Sequence, residues 1–148
     1  MQKATKPLKV LFICLGNSCR SQMAEAIARH EAPDVIEAAS AGFVPLGFIA
    51  KRTISTLAES GIPCGGQTSK GITREAVDAS DLIVNMCGRP LPPLARGHAR
   101  VEDWDVDDPY GEDAAIYRRI CKDIRHCVKD LAQRIKAELK EETGKTEI

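Results

Sequence analysis

The sequence predicts an α/β fold: a doubly wound, parallel four-stranded sheet with helices on both faces. Three observations carry that expectation. Short, bounded apolar runs alternate with segments of helical periodicity along the chain. Two of the runs, LKVLFIC and DLIVNMC, are nearly continuous, as in strands covered on both faces. The last segment places Ile116, Ile120, Ile124, Val128, Leu131, Ile135 and Leu139 at steps of three or four, which makes a long amphipathic helix.

The first run, LKVLFIC (8–14), reads as a buried strand. From Ser21, SQMAEAIARHEA is made of good helix formers, with Met23, Ala26, Ile27 and His30 expected on one side and Pro33 ending it. VIEAASAG (35–42) is a second strand that closes on Gly42. IAKRTISTLAESG is a helix with Ile54, Leu57 and Ala58 on its expected inner face, and Gly61 stands where a helix-ending glycine belongs. TREAVDAS is a short helix and DLIVNMC (81–87) a third strand. Residues 88–99 hold three prolines and two glycines and read as loop. ARVEDWDV offers a short fourth strand, and DDPYGEDA a turn-rich loop before the final helix. No repeat or linker interrupts the pattern, so residues 1–148 are expected to form a single domain with residues 1–7 flexible ahead of it.

Composition narrows the function. The 148 residues are 43% hydrophobic and 28% charged, ordinary for a globular protein with a sizeable core. The formal net charge is zero and aromatics are only 4%, which argues against a nucleic-acid partner. No apolar run approaches the ~20 residues of a membrane span, and no secretory signal precedes the first strand. Six cysteines without such a signal point to a reducing, cytoplasmic setting rather than a disulfide framework.

In a doubly wound sheet, ligands bind beyond the carboxyl ends of the strands. Residues 14–21, Cys87 with its loop, and residues 107–113 all converge there. The stretch ICLGNSCRS (13–21) is the informative one. Cys14 and Cys19 are five apart with no second ligand pair, so no metal site is expected. The three-glycine dinucleotide fingerprint and the nucleotide-phosphate Gly-Lys-Ser/Thr are both absent. What remains is an anion cradle. A loop running from a strand into a helix N-terminus directs the amides of Leu15, Gly16, Asn17, Ser18 and Cys19 toward one point. Gly16 allows a tight turn, and Asn17 tolerates a left-handed conformation. Arg20 offers a planar fork for two oxygens of a tetrahedral oxyanion. The positive potential favours the thiolate form of Cys14, and Ser21 can donate a hydrogen bond to it. In the bland alternative Cys14 is a small buried hydrophobe and Arg20 a surface charge, which leaves this spacing a coincidence.

Cys-x5-Arg from Cys14 to Arg20, followed by MAEAI (23–27), SAG (40–42) and DPYG (108–111), resembles the low-molecular-weight protein tyrosine phosphatase family over nearly the whole chain. The resemblance implies that Cys14 attacks phosphorus to form a phosphocysteine, with Arg20 and the loop amides stabilising the equatorial oxygens. It makes Asp108 the general acid and then the base, and Tyr110 an aromatic wall against the substrate ring. Substrates would be a phosphotyrosine protein or a small aryl phosphate, with no cofactor and no metal. Cys19 would form a reversible disulfide with Cys14, with simple packing as its other reading.

The same scaffold carries thiol-dependent arsenate reductases, in which a second thiol attacks the first to release arsenite. Gln22 after CRS, the SGIPCGGQTSK stretch, WDVDDP and the placement of Cys87 lean toward that branch. The thioredoxin-coupled reductases have a further cysteine soon after the second, whereas CGRPLPPLARGH has none, so a small thiol or glutaredoxin would have to resolve Cys87. The aromatic of DPYG leans toward the phosphatases. The expectation is therefore a phosphatase, with arsenate reduction through Cys14 and Cys87 as the alternative. A non-catalytic phosphate-binding or redox-sensing module is third. Cys64, Cys121 and Cys127 read as packing residues, and His30, His98 and His126 as structural or solvated, because none has a triad-like context. The acidic run 102–108 reads as a solvated loop.

Overall fold

The four segments expected to be strands all form strands, and they lie side by side. A computed structural model describes residues 6–146, with side chains through residue 141. Most of the segment expected to be flexible, residues 1–5, lies outside the described residues. The strands are β1 (Leu8–Cys14), β2 (Ile36–Gly42), β3 (Leu82–Asn85) and β4 (Val101–Asp103). They form one sheet in the order β2-β1-β3-β4, every neighbouring pair parallel. Leu8 stands opposite Ile36, Cys14 opposite Gly42, and Ile13 opposite Asn85. The helices are α1 (Arg20–Glu31), α2 (Lys51–Glu59), α3 (Arg74–Ala79), α4 (Pro93–Arg96) and α5 (Ala114–Thr146).

Alternation along β1 explains why helices cover both faces. Val10, Phe12 and Cys14 join a buried cluster with Met23 and Ile27 of α1 and Ile120, Ile124, Val128 and Leu131 of α5. Leu11 and Ile13 point the other way, into a smaller cluster with Val77 of α3 and Ala95 of α4. Each fully buried side chain of this size contributes roughly 1.5–3 kcal/mol by removal from water. Phe12 meets Trp104 with ring centroids 5.7 Å apart.

Three expectations about faces and loops change. On α2 the buried residues are Thr53, Thr56 and Leu57, while Ala58 is exposed and Ile54 is 46% exposed. Thr53 turns inward because its hydroxyl donates to the Ser18 carbonyl at 2.9 Å, and that rotation carries Ile54 outward. Helix α1 is buried on every side from Arg20 to Ala28, and His30 lies in its exposed last turn. The loop 88–99 contains α4, whose first residue is Pro93, a position where the missing N–H has no helical partner to lose.

The chain leaves β1 toward β2 on one side of the sheet and returns to β3 on the other. The strand order therefore reverses beside β1, and a crevice opens at the carboxyl ends of β1 and β3. Asn85 ends β3 by bonding its own loop: Oδ1 accepts from the Cys87 amide at 3.0 Å and Nδ2 donates to the Arg89 carbonyl at 2.7 Å.

Candidate functional site

The loop from β1 into α1 has an unusual polarity. Each carbonyl from Cys14 to Cys19 is held from outside the loop. Cys14 O accepts from Phe43 N (3.1 Å), Leu15 O from Val44 N (2.8 Å), and Gly16 O from Leu46 N (3.0 Å). Asn17 O accepts from Gln22 Nε2 (3.1 Å), Ser18 O from Ala50 N (3.2 Å), and Cys19 O from Met23 N (2.9 Å). Across a planar trans peptide the C=O of one residue and the N–H of the next point in opposite directions. The amides of residues 15–19 therefore turn inward, and among the described residues they find no acceptor. Such a ring of amides is an anion nest.

Asn17 adopts φ +48°, the left-handed conformation expected of it. Its side chain is spanned at both ends. Nδ2 donates to Ser21 Oγ at 2.7 Å, and Oδ1 accepts from the Lys70 amide at 2.8 Å. Ser21 Oγ lies 2.9 Å from Cys14 Sγ. With its oxygen already accepting from Asn17, Ser21 has its own proton to give to the Cys14 sulfur.

Arg20 is 6% exposed and ties three loops together. Its Nη1 donates to Met86 O at 2.5 Å and to Val106 O at 3.0 Å, and its Nη2 lies 3.6 Å from Asp108 Oδ2. Its Nε is buried without a partner among the described residues. That donor and the inward amides have the complementary charge for one tetrahedral oxyanion.

A cleft of about 330 Å³ opens over Cys14. Leu15, Gly16, Ser18, Cys19, Arg20, Asp108 and Tyr110 line it, while Asn17 and Ser21 stand behind it. The Asp108 side chain is 44% exposed, and its Oδ1 accepts from the Tyr110 amide at 3.1 Å. Its neighbour Asp107 turns away to pair with Arg119 at 3.4 Å. Sequence reasoning missed Val44, Leu46 and Arg89, which complete the cleft wall. The signal for the first two was a loop carrying exposed Val44, Leu46 and Phe48 with no core to join. A larger depression of about 950 Å³ beside α5 holds none of the anticipated residues.

All six cysteines are free. Burial pushes the Cys19 thiol up, and the hydrogen bond with the Tyr117 hydroxyl at 3.4 Å opposes this. Burial also raises the Cys87 thiol, with nearby Arg20 and Arg89 acting the other way. Cys87 is outside the cleft lining, one residue past the Met86 carbonyl that Arg20 holds. Among the described residues, no cluster of His, Cys, Asp and Glu is placed to hold a metal ion, and no helix is long and apolar enough to cross a membrane.

Gly42 shows how closely the sheet supports the loop. A methyl group there would meet Asn17 N at 2.8 Å and Leu15 O at 2.9 Å, both backbone atoms. Gly42→Ala is expected to lower stability by about 1–3 kcal/mol in thermal or urea unfolding, the usual range for overpacking. Anion affinity measured by calorimetry should fall with it.

A family model described as "Low molecular weight phosphotyrosine protein phosphatase" matches residues 9–142. Arsenate reductase 1 of Bacillus cereus is 34% identical over 126 residues, covering 84% of this chain and 93% of that protein. The glutaredoxin arsenate reductase of Synechocystis is 33% identical over 129 residues, covering 86% and 98%. Among solved structures, an arsenate reductase in the phosphate binding state superposes with a TM-score of 0.79 at 33% identity, covering 86% of this chain and 98% of that one. The YwlE arginine phosphatase of Geobacillus stearothermophilus gives 0.80 at 24% identity, covering 91% and 97%, a likeness of fold.

Proposed function

The chain belongs to the low molecular weight phosphotyrosine protein phosphatase family, and from that premise we propose that it is a cysteine-dependent phosphomonoesterase acting on aryl phosphates, phosphotyrosine among them. One observation carries this reading. The cleft extends past the anion nest into a space walled by Val44, Leu46 and Tyr110, with the Asp108 carboxyl beside it. A bare oxyanion needs no apolar wall, whereas an aryl group packs against one and departs as the phenol with a proton from the acid beside it.

In this mechanism the Cys14 thiolate attacks phosphorus while the P–O bond to the aryl group breaks. Asp108 gives its proton to the departing phenolate. The inward amides and Arg20 hold the three equatorial oxygens through the transition state. Asp108 then takes a proton from water as that water attacks phosphocysteine, releasing phosphate and returning Cys14 as thiolate.

The names of the curated relatives and the placement of Cys87 favour a second reading, arsenate reduction. Cys14 would displace one oxygen of arsenate, which leaves as water, and Cys87 would attack Cys14 sulfur. The S–As bond would break with its electron pair left on arsenic, releasing arsenite and a Cys14–Cys87 disulfide. A thiol of the glutaredoxin kind would restore both cysteines. One purified sample assayed on p-nitrophenyl phosphate, and on arsenate with glutaredoxin and a small thiol, separates the two. Ester hydrolysis that survives Cys87→Ser, without arsenite release, is the expected result. Thiol-dependent arsenite release abolished by Cys87→Ser, with negligible ester hydrolysis, would replace the first reading by the second. Phosphate binding without either turnover would leave a binding module.

A further inference from the structure

Six successive carbonyls turn outward around the nest, and five of them are held by backbone amides. Asn17 is the exception. Its carbonyl is held by a side chain, Nε2 of Gln22, at 3.1 Å. No backbone hydrogen bond opposes rotation of the Asn17–Ser18 peptide plane, in a segment that already holds a non-glycine residue at φ +48°.

We propose that Gln22 is a positioning residue for oxyanion chemistry: by holding the Asn17 carbonyl outward, it keeps the Ser18 N–H aimed into the nest above Cys14. The proposal rests on reading the nest as an oxyanion site and deepens it. It applies to a phosphoryl or an arsenic centre alike.

The Gln22 amide is itself locked. The residue is fully buried. The second proton of Nε2 goes to the Thr68 carbonyl at 2.9 Å, and Oε1 accepts from Gln67 Nε2 at 2.7 Å. Gln67 Nε2 also reaches the backbone carbonyl of Gln22 at 3.2 Å. Turning the amide over would set its oxygen against two carbonyl oxygens and its nitrogen against another donor, so only one orientation satisfies the group. The strap 67–70 carries this lock and grips the nest at two further points. Ser69 Oγ donates to Gly16 O at 3.2 Å, and the Lys70 amide holds Asn17 Oδ1. The Lys70 ammonium sits 4.0 Å from the buried Glu25 carboxylate, which pins the strap to α1.

Packing alone gives no reason for an amide at this depth, since an apolar side chain of equal length would fill the space. The donors are what the position requires. A nest amide matters most where negative charge moves onto the equatorial oxygens, so its misalignment should weaken transition-state binding more than ground-state binding.

Gln22→Met keeps the length of the side chain and removes both donors. It is expected to lower kcat on p-nitrophenyl phosphate about 10- to 100-fold with little change in KM, less than outright removal of an oxyanion donor. Vanadate, which mimics the five-coordinate transition state, should bind more weakly by a similar factor, and inorganic phosphate should lose less. Unchanged kcat, or a fall in kcat with vanadate affinity intact, overturns the proposal. A purely structural role would lower the melting temperature without altering the vanadate-to-phosphate ratio, and that result overturns it too. Should Gln22→Met fail to fold, Gln67→Met removes only the lock on the Gln22 amide, and the same pattern is expected at about 3- to 10-fold. If the wild type binds vanadate but hydrolyses no aryl ester, the phosphatase reading fails. The vanadate-to-phosphate ratio then decides the role of Gln22 alone.

Discussion

Cys14→Ser is expected to remove turnover of aryl phosphates, by at least about 10⁴-fold, the scale of loss when a covalent enzyme is deprived of its nucleophile. A cysteine attacks as its thiolate, whereas a serine hydroxyl needs a base to take its proton. In the first step the site offers none, because Asp108 must then carry the proton that it gives to the leaving group. Ser21 beside Cys14 is a neutral hydroxyl, and none of the three histidines lines the cleft. His98 is occupied with Ser80 and Arg100. The nest amides and Arg20 are untouched by the change, so calorimetry should still find phosphate bound. Steady hydrolysis by the variant would move the nucleophile elsewhere in the cleft.

Asp108→Asn should have the second largest effect, and its signature is dependence on the leaving group. Loss of a general acid costs about 10²–10⁴-fold when the leaving group needs a proton. For phenyl phosphate, whose phenol has a pKa near 10, kcat/KM should fall about 10²-fold or more. For an ester of a strongly acidic phenol it should fall little, because that phenolate departs unprotonated. Asparagine still accepts from the Tyr110 amide as Oδ1 of Asp108 does, so the loop keeps its shape. Equal losses across a series of phenols would remove Asp108 from the acid role and leave it a partner of Arg20.

Much of this architecture was written in local pattern. Strands β1 and β3 are apolar runs, and the seven apolar positions of α5 mark the stripe it packs on the sheet. The cradle was legible for the same reason: Cys14, Asn17, Arg20 and Ser21 lie within eight residues, so their juxtaposition needs only a turn. The 67–70 strap was not legible, because its grip on the nest depends on pairs about fifty residues apart in sequence. Gln22 stood out by residue type, but its task appears only once Asn17 O and Gln67 are beside it. The inward turn of Thr53 went unread because helical periodicity ranks isoleucine above threonine for a core face. Here a single hydrogen bond to Ser18 reverses that order. Arg89 and the Val44–Leu46 wall belong to loops, where no periodicity reports what a side chain faces.

The nest has a consequence for how chains of this kind diversify. Apart from Arg20, its contacts to an oxyanion come from main-chain amides, and main chain is the same whatever residue it carries. A site built that way reads shape and charge, which phosphate and arsenate share, and the Arg20 guanidinium beside the amides reads the same two properties. New chemistry can therefore be gained or lost in the surrounding loops while the nest stays as it is. A thiol on the β3 loop, or an aromatic on the β4 loop, redirects the same bound anion toward a different fate.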